Sequence, residues 1–337
     1  MDPVTQGAFG AVFAQTQGRS KDLAKAAVIG AIAGMAPDLD VLIRSDSDPL
    51  LALEFHRHFS HSLLFIPIGG LLCSLLLYPL LGKRWGLSFL QTYLWCVIGF
   101  GTHGLLDGCT SYGTQLLWPL SDHRFAWDII SIIDPLVSIP VLALIILAAR
   151  RKARKYVYFA LAWLAMYFGL SYTLHERAIE AGYQQAALRG HTPITMEAKP
   201  SFANIVVWKV IYQTEKDYYV DAVKVSFAEP VYWQGDSIPK LDLDRDFPWL
   251  DKQSQQAKDI ERFRWFSGGY ISQDKHKPDR VIDIRYSLLP QEINPLWGID
   301  LTRDAAADKH IEYFTERGDS REAIGKLWKM IQATKPE

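Results

Sequence analysis

The sequence predicts a mainly α-helical integral membrane domain of roughly five to six helices, followed by a soluble α+β domain. Three observations predict it. Residues from about 4 to 175 are dominated by apolar blocks, several long enough to cross a bilayer. The cationic turns between those blocks fall on one side when the crossings alternate. After His175 the pattern changes to mixed, charged sequence with alternating, β-branched and aromatic runs. The expected domains are therefore 1–175 and 176–337.

Composition agrees with that division. Of 337 residues, 49% are hydrophobic and the net charge is -1, so no global basic excess points to nucleic acid. The three cysteines, Cys73, Cys96 and Cys109, form no CxxC pair and no disulfide framework. The start Met1-Asp2-Pro3 lacks a cationic n-region, and no small-residue cleavage site follows, so no removable signal peptide is expected.

Val4–Gln17 is apolar but short. Its fourteen residues reach about 21 Å against a hydrocarbon core of about 30 Å, as a short or tilted helix would. Leu23–Ile43 is long enough to cross, with Pro37, Asp38 and Asp40 interrupting its last third. Leu63–Leu81 is the cleanest span. Leu87–Leu106, Ile129–Ala149 and Tyr156–Leu174 follow, and residues 107–127 form a polar, aromatic loop. Arg19, Lys21 and Lys25, then Lys83 and Arg84, then the cluster from Arg150 to Lys155 occupy alternate turns. The positive-inside rule puts these turns in the cytoplasm. Both termini, the domain after residue 175 and every His/Asp patch then lie outside, as in a bacterial-type inner membrane protein facing the periplasm.

In the second half, Glu176–Arg189 reads as an amphipathic helix. Ile205–Tyr212, Tyr218–Phe227 and Arg280–Leu288 read as strands, and Lys252–Phe266 and Arg321–Ala333 as helices.

The chemistry-bearing residues come in patches. His103 and Asp107 are four apart, so a helix puts them on one face, where they ligate one ion or simply stabilise a helix end. Asp38 and Asp40 follow Pro37. They offer hard oxygens to a divalent cation or cap an interfacial loop. The run from His56 to Ser62 packs three imidazoles, a guanidinium and two hydroxyls into seven residues. Its neutral imidazoles suit zinc, and Arg57 suits a phosphate or carboxylate; contact with lipid headgroups is the plainer reading, above all for His58. Three patches reaching one side at the ends of successive spans favour a shared polar site. Asp134, within a span, costs about 2.5–3.5 kcal/mol unless paired, so it completes the site or neutralises Arg57. Asp2 and Gln6 join the same cavity if the first helix crosses. No GxSxG, Walker loop, HExxH or GxGxxG is present.

These residues carry a resemblance. Met1-Asp2-Pro3-Val4-Thr5-Gln6-Gly7, Gly34-Met35-Ala36-Pro37-Asp38-Leu39-Asp40 and the His56–Ser62 run are three of its pieces. His103-Gly104-Leu105-Leu106-Asp107 with Thr110-Ser111-Tyr112-Gly113, then Trp118-Pro119-Leu120-Ser121 and Ile133-Asp134-Pro135, complete it. In this order they resemble the YdjM/YbcI-type inner-membrane proteins described as metal-dependent hydrolases, with a distant likeness to zinc-dependent phospholipase C. The resemblance covers roughly residues 1–175. Two positions depart from it: Gln6 stands where many members carry His, and Ser60 where they usually carry Thr.

The expected function is a membrane-embedded hydrolase. One or two divalent ions, zinc by donor type, are held by His61, His103, Asp107 and Asp38, with His56 and Asp40 as further ligands. Water activated by the ion attacks a lipid-linked or amphiphilic phosphoester or ester at the outer leaflet. Arg57 stabilises the developing charge, with His56 beside it as a catalytic group. The expected partners are the bilayer and a lipid or lipid-linked substrate, with no nucleic acid. Two readings from other classes stand beside this one. An ion-coupled transporter or metal carrier would need polar positions in the cytoplasmic halves of the spans, and Leu71–Leu81 and Leu142–Ala149 show almost none. A non-catalytic membrane scaffold would hold a structural metal in a closed shell.

Overall fold

Polar side chains set the ends of the apolar helices. In the computed structural model, which describes residues 1–316 and 318–335, α1 (Pro3–Gln17) starts at Asp2, whose carboxylate accepts from the Val4 and Thr5 amides. α2 (Leu23–Met35) runs into a 3-10 stretch, Ala36–Leu42. A short α3 (Leu51–Phe55) and a 3-10 turn, Phe59–His61, precede α4 (Ile66–Leu77), which ends in a π turn at Tyr78–Gly82. α5 (Phe89–Gly108) is capped by Ser88, and α6 (Pro135–Arg151) by Asp134. α7 (Lys155–Leu188) is the longest helix, at 34 residues.

The chain divides into two compact units. The first comprises Met1–Leu42, Phe55–Thr173 and Phe202–Asn204; the second comprises Ile43–Glu54, Leu174–Ser201 and Ile205–Glu337. The sequence boundary at 175 misses two features: the loop Ile43–Glu54, flanked on both sides by the first unit, groups with the second, and Phe202–Asn204 groups with the first.

In the first unit, α1, α2 and α5 pack at backbone contact. A Cβ on Gly10 would fall 2.2 Å from the Gly30 carbonyl oxygen, and one on Gly99 would fall 2.4 Å from the same atom. Small residues allow this approach where lipid gives helices no hydrophobic drive to associate. The outward faces stay apolar. Leu72, Leu75 and Leu76 on α4, Leu90 on α5, Ile139 on α6 and Phe159 on α7 are all exposed. Exposed apolar side chains on four helices need a covering, and lipid supplies one.

By length and composition, two helical stretches are able to span a membrane, Leu63–Gly82 and Lys155–Leu188. This is fewer than the sequence reading expects. α1, α2 and α6 have only 15, 13 and 17 residues. α5 has 20 but carries Gln91, Thr92, Thr102, His103 and Asp107.

The basic turns gather at one end of this unit. Lys25 Nζ donates to the Trp85 carbonyl at 3.0 Å, and Arg154 Nη2 donates to the Thr16 carbonyl at 2.7 Å. α1 and α2 meet at that end, whereas the start of α1 and the ends of α2 and α5 lie at the other.

The second unit holds two antiparallel sheets. β1 (Thr195–Pro200), β2 (Val207–Gln213), β3 (Asp217–Lys224) and β4 (Val231–Trp233) lie side by side in that order, and β5 (Ser237–Pro239) pairs with β3. After the short α8 (Leu243–Asp246) and α9 (Gln255–Phe266), β6 (Ile271–Gln273), β7 (Arg280–Asp283), β8 (Trp297–Asp300) and β9 (Glu312–Thr315) form the second sheet in sequence order. Ile211, Val220, Ile238, Tyr270 and Ile282 share one core. α10 (Ser320–Gln332) buries Ala323, Leu327 and Met330 against Val207 and Ala222. The expected α+β character is present, and the stretch expected as the amphipathic helix Glu176–Arg189 is the end of α7.

Arg262 on α9 binds the Ile43–Glu54 loop. Its guanidinium donates to both carboxylate oxygens of Glu54 at 2.6 and 2.9 Å, and to both of Asp48 at 3.0 and 2.8 Å. It also donates to Asp259, which accepts from His310. This paired fork geometry is what arginine offers carboxylates and lysine does not.

Candidate metal centre

Three pieces of backbone bring four side chains together in the first unit. α5 carries His103 and Asp107 one turn apart, both fully buried. The 3-10 stretch after α2 carries Asp38 and Asp40. The Phe59–His61 turn carries His61 and lies directly on α5. A Cβ at Gly104 would stand 2.2 Å from the His61 carbonyl oxygen, so a glycine is required at that contact. Arg57 and Leu63 are tied to the following loop by Gln115 N→Arg57 O at 3.0 Å and Leu63 N→Leu116 O at 2.9 Å.

The donor atoms converge. His61 Nε2 is 3.5 Å from Asp38 Oδ1 and 3.4 Å from Asp107 Oδ2. His103 Nε2 is 3.2 Å from Asp38 Oδ1 and 3.7 Å from Asp107 Oδ2. One ligand atom from each of the four residues lies within 4.8 Å of all the others. Ligands about 2.0–2.1 Å from a tetrahedral ion stand roughly 3.3–3.4 Å apart, so the spacing suits such an ion. His61 Nε2 is buried without a hydrogen-bond partner, and Asp107 Oδ2, which makes no well-aligned hydrogen bond, is ion-paired with Arg57 Nε at 3.0 Å. An unsatisfied buried polar atom costs about 1–3 kcal/mol, and a cation bound at His61 Nε2 removes that cost.

The outward atoms of the same side chains are held. His103 Nδ1 donates to the Gly34 carbonyl at 2.6 Å, which turns its Nε2 lone pair inward. His61 Nδ1 lies 3.2 Å from Asp40 Oδ2 and 3.0 Å from Ser60 Oγ, giving a carboxylate–histidine pair aimed at the centre. Asp107 Oδ1 accepts from Gln6 Nε2 at 2.8 Å and from the Met1 ammonium at 2.5 Å. Asp40 Oδ2 accepts from the Arg57 amide at 3.0 Å and Ser60 Oγ at 2.8 Å, while Oδ1 meets His56 Nδ1 at 2.9 Å. Asp38, Asp40 and His56 form a second group of donors within 4.8 Å of one another, and Asp38 is common to both groups.

Several sequence expectations change. Asp134 does not reach the cluster. It caps α6 through the Leu136 and Val137 amides and accepts from Tyr167 Oη at 2.8 Å. Asp2 is likewise a cap, bound to the start of α1 and to Thr5 Oγ1. Gln6 does enter, as an amide donor to Asp107. Arg57 is engaged rather than poised for an anion. Its Nε is 3.0 Å from Asp107 Oδ2, Nη1 donates to Thr110 Oγ1 at 3.0 Å, and the Tyr112 ring lies 4.7 Å below the guanidinium carbon. Its backbone is left-handed, with φ 65°, a conformation uncommon outside glycine that turns the side chain toward α5. His58 packs among Phe55, Phe59 and Trp118.

Sequence reasoning named Gly104, Thr110 and Gly34 only as pieces of the motif and missed the contacts they make with His61, Arg57 and His103. A glycine beside a candidate ligand histidine was the one available signal; the other two contacts depend on tertiary approach.

The model of the YdjM inner membrane protein family matches residues 1–178, more than half of the chain. The chain belongs to that family. The match takes in all four converging residues and their supports. The inner membrane protein YbcI of Escherichia coli K12 is 34% identical over 108 residues, which is 31% of this chain and 60% of that protein. The uncharacterized protein YfhP of Bacillus subtilis 168 is 29% identical over 129 residues, 38% of each chain. The chain thus covers less than two thirds of either relative's length. No solved structure matches it. Family membership, together with two helical stretches long and apolar enough to span, makes this a membrane protein.

Proposed function

We propose that this YdjM-family protein is a membrane-embedded, metal-dependent hydrolase acting on an amphiphilic or lipid-linked ester, phosphoesters foremost. The convergence of His61, His103, Asp38 and Asp107 supports the reading. Two imidazoles and two carboxylates suit zinc better than calcium or magnesium, which favour oxygen alone. Such an ion, when bound, supplies Lewis acidity and a lowered pKa for water. The chain's own residues prepare the site. Asp40 holds the proton on His61 Nδ1, the Gly34 carbonyl holds the one on His103 Nδ1, and Arg57 and Gln6 fix Asp107. Asp38 and His56 are the partly exposed members, at 25% and 24%, so substrate approaches on their side. We assign His56 to carry a proton between the site and solvent, with Asp40 steering its Nδ1.

The gathering of basic turns at the far end of the bundle supports an outward-facing site, because cationic loops are retained in the cytoplasm. The start of α1 and the chain beyond α7 then lie on the periplasmic side, where an outer-leaflet amphiphile reaches the cluster.

One observation favours a second reading. Four protein donors lie within 4.8 Å of one another, enough to fill the shell of a structural zinc ion were one bound, and a scaffold would need no more. Asp38, common to both donor groups, is the ligand able to turn outward and open the shell. Elemental analysis of purified protein, run beside hydrolysis of a short-chain phospholipid, separates the readings. The hydrolase reading predicts bound zinc and turnover, both lost in His61→Ala and Asp107→Ala. Unchanged metal content in both variants would remove the ligand set. Full metal with no turnover on a panel of amphiphilic esters would leave the scaffold.

A further inference from the structure

We propose that the end of the helical unit opposite the His/Asp cluster binds the phosphate-bearing headgroup of an anionic phospholipid. A cavity of about 590 Å³ opens there between the α1–α2 turn and the start of α5. Its lining includes Arg19, Lys21 and Lys25 from the α1–α2 turn and the start of α2, Trp85 from the turn before α5, and Leu90 and Leu94 from α5. The carboxylate in the lining, Asp22, is engaged by Lys25 at 3.0 Å. Lys25 is fixed further by the Trp85 carbonyl at 3.0 Å. Among the described residues, Arg19 and Lys21 have no carboxylate partner, and both side chains are exposed. The lining therefore keeps an excess of two cations, more than one phosphodiester needs.

The apolar half of the cavity distinguishes a lipid from a free anion. Leu90 and Leu94 are i and i+4 on α5, 63% and 48% exposed, and they continue the apolar outer surface. A soluble phosphate gains nothing from them, whereas an acyl chain lying along α5 covers both. Trp85, half-buried, lines the same cavity, and an amphipathic indole is the side chain favoured at a membrane–water border. The turn from Arg150 to Lys155 adds positive potential at the same end, since Arg154 is bonded to Thr16.

The test uses the full chain reconstituted in nanodiscs with equal phosphatidylglycerol and phosphatidylcholine, then extracted into mild detergent. Native mass spectrometry counts the lipids that remain. Wild type is expected to retain phosphatidylglycerol in preference to phosphatidylcholine, and Arg19→Gln/Lys21→Gln to lower that preference roughly tenfold or more. Excess inorganic phosphate is expected to leave the lipid in place. Equal retention of the two lipids by wild type, or an unchanged preference in the double variant, overturns the proposal. Displacement by inorganic phosphate overturns it too, in favour of a free anion. Lys21→Glu is a second probe that leaves Arg19 intact. Since neither cation touches the His/Asp cluster, metal content in these variants is expected to stay at the wild-type level.

Discussion

The carbonyl oxygen of His61 rests against the Cα of Gly104, where any side chain would strike it 2.2 Å away. This contact brings a turn and a helix close enough for His61 and His103 to share one centre, their rings 4.5 Å apart and nearly perpendicular. Gly104→Ala should therefore displace His61 while leaving every donor atom in the sequence. We expect metal affinity to fall at least as far as for loss of a supporting hydrogen bond, about 10–100-fold. Chelator competition on the purified variant measures this, and wild-type affinity would refute the role of the contact.

Asp40→Asn tests the support of His61 without touching the four converging donors. The amide retains the shape but weakens acceptance from His61 Nδ1. A drop in metal affinity of about 10–100-fold is expected, smaller than the loss in Asp38→Asn or Asp107→Asn. If Asp40→Asn matched those two, Asp40 would itself be a ligand, through the second donor group.

Asp134→Asn gives the opposite expectation. Its carboxylate is occupied by the α6 cap and Tyr167, so metal content should be unchanged. The thermal midpoint should drop by the few degrees that go with about 1 kcal/mol of lost cap and hydrogen-bond energy. Loss of metal in this variant would return Asp134 to the site.

Lys209, in the second unit, sets a pH dependence. Its ammonium is buried on β2, bonded to Ser287 Oγ at 2.7 Å and the Glu292 carbonyl at 2.8 Å. Burial pushes its pKa down to about 7 from 10.5. Between those values the unfolded chain binds the proton more readily, so stability rises as pH climbs through about 7 to 10. Denaturant melts of the full chain, followed by tryptophan fluorescence, should show that rise in wild type and a flatter profile in Lys209→Met. Parallel profiles would mean that Lys209 does not titrate in this range.

Arg262→Ala should free the Ile43–Glu54 loop. Five hydrogen bonds to Glu54, Asp48 and Asp259 are lost. The site is partly exposed, at 23%, so the cost is about 1–3 kcal/mol rather than that of a fully buried pair. Limited proteolysis should cut within 43–54 in the variant much faster than in wild type; equal rates would argue against the clamp.

The parts legible in the sequence follow periodicity or sidedness. His103 and Asp107 announce a shared face because a helix repeats every 3.6 residues. Asp38 and His61 were grouped with them because alternating spans bring those chain segments to one side. The rest depends on approach distances that no local pattern carries. Arg57 read as an anion receptor because its left-handed backbone, which turns it onto Asp107, leaves no compositional trace. Asp134 read as a cavity acid because an apolar block hides the helix start that it caps. In the second half, β2 and β3 were visible as long β-branched and aromatic runs, whereas β4, β5 and β6, with three residues each, are too short to show alternation.

The Arg262 clamp bears on biogenesis. Asp40 and His56 emerge early from the ribosome, yet the loop between them finds its arginine only 208 residues after Glu54. Insertion of the helices alone leaves that loop untethered until α9 is made and Arg262 gathers Asp48 and Glu54. A chain truncated before α9 would enter the membrane with all four donors present and their connecting loop still unanchored.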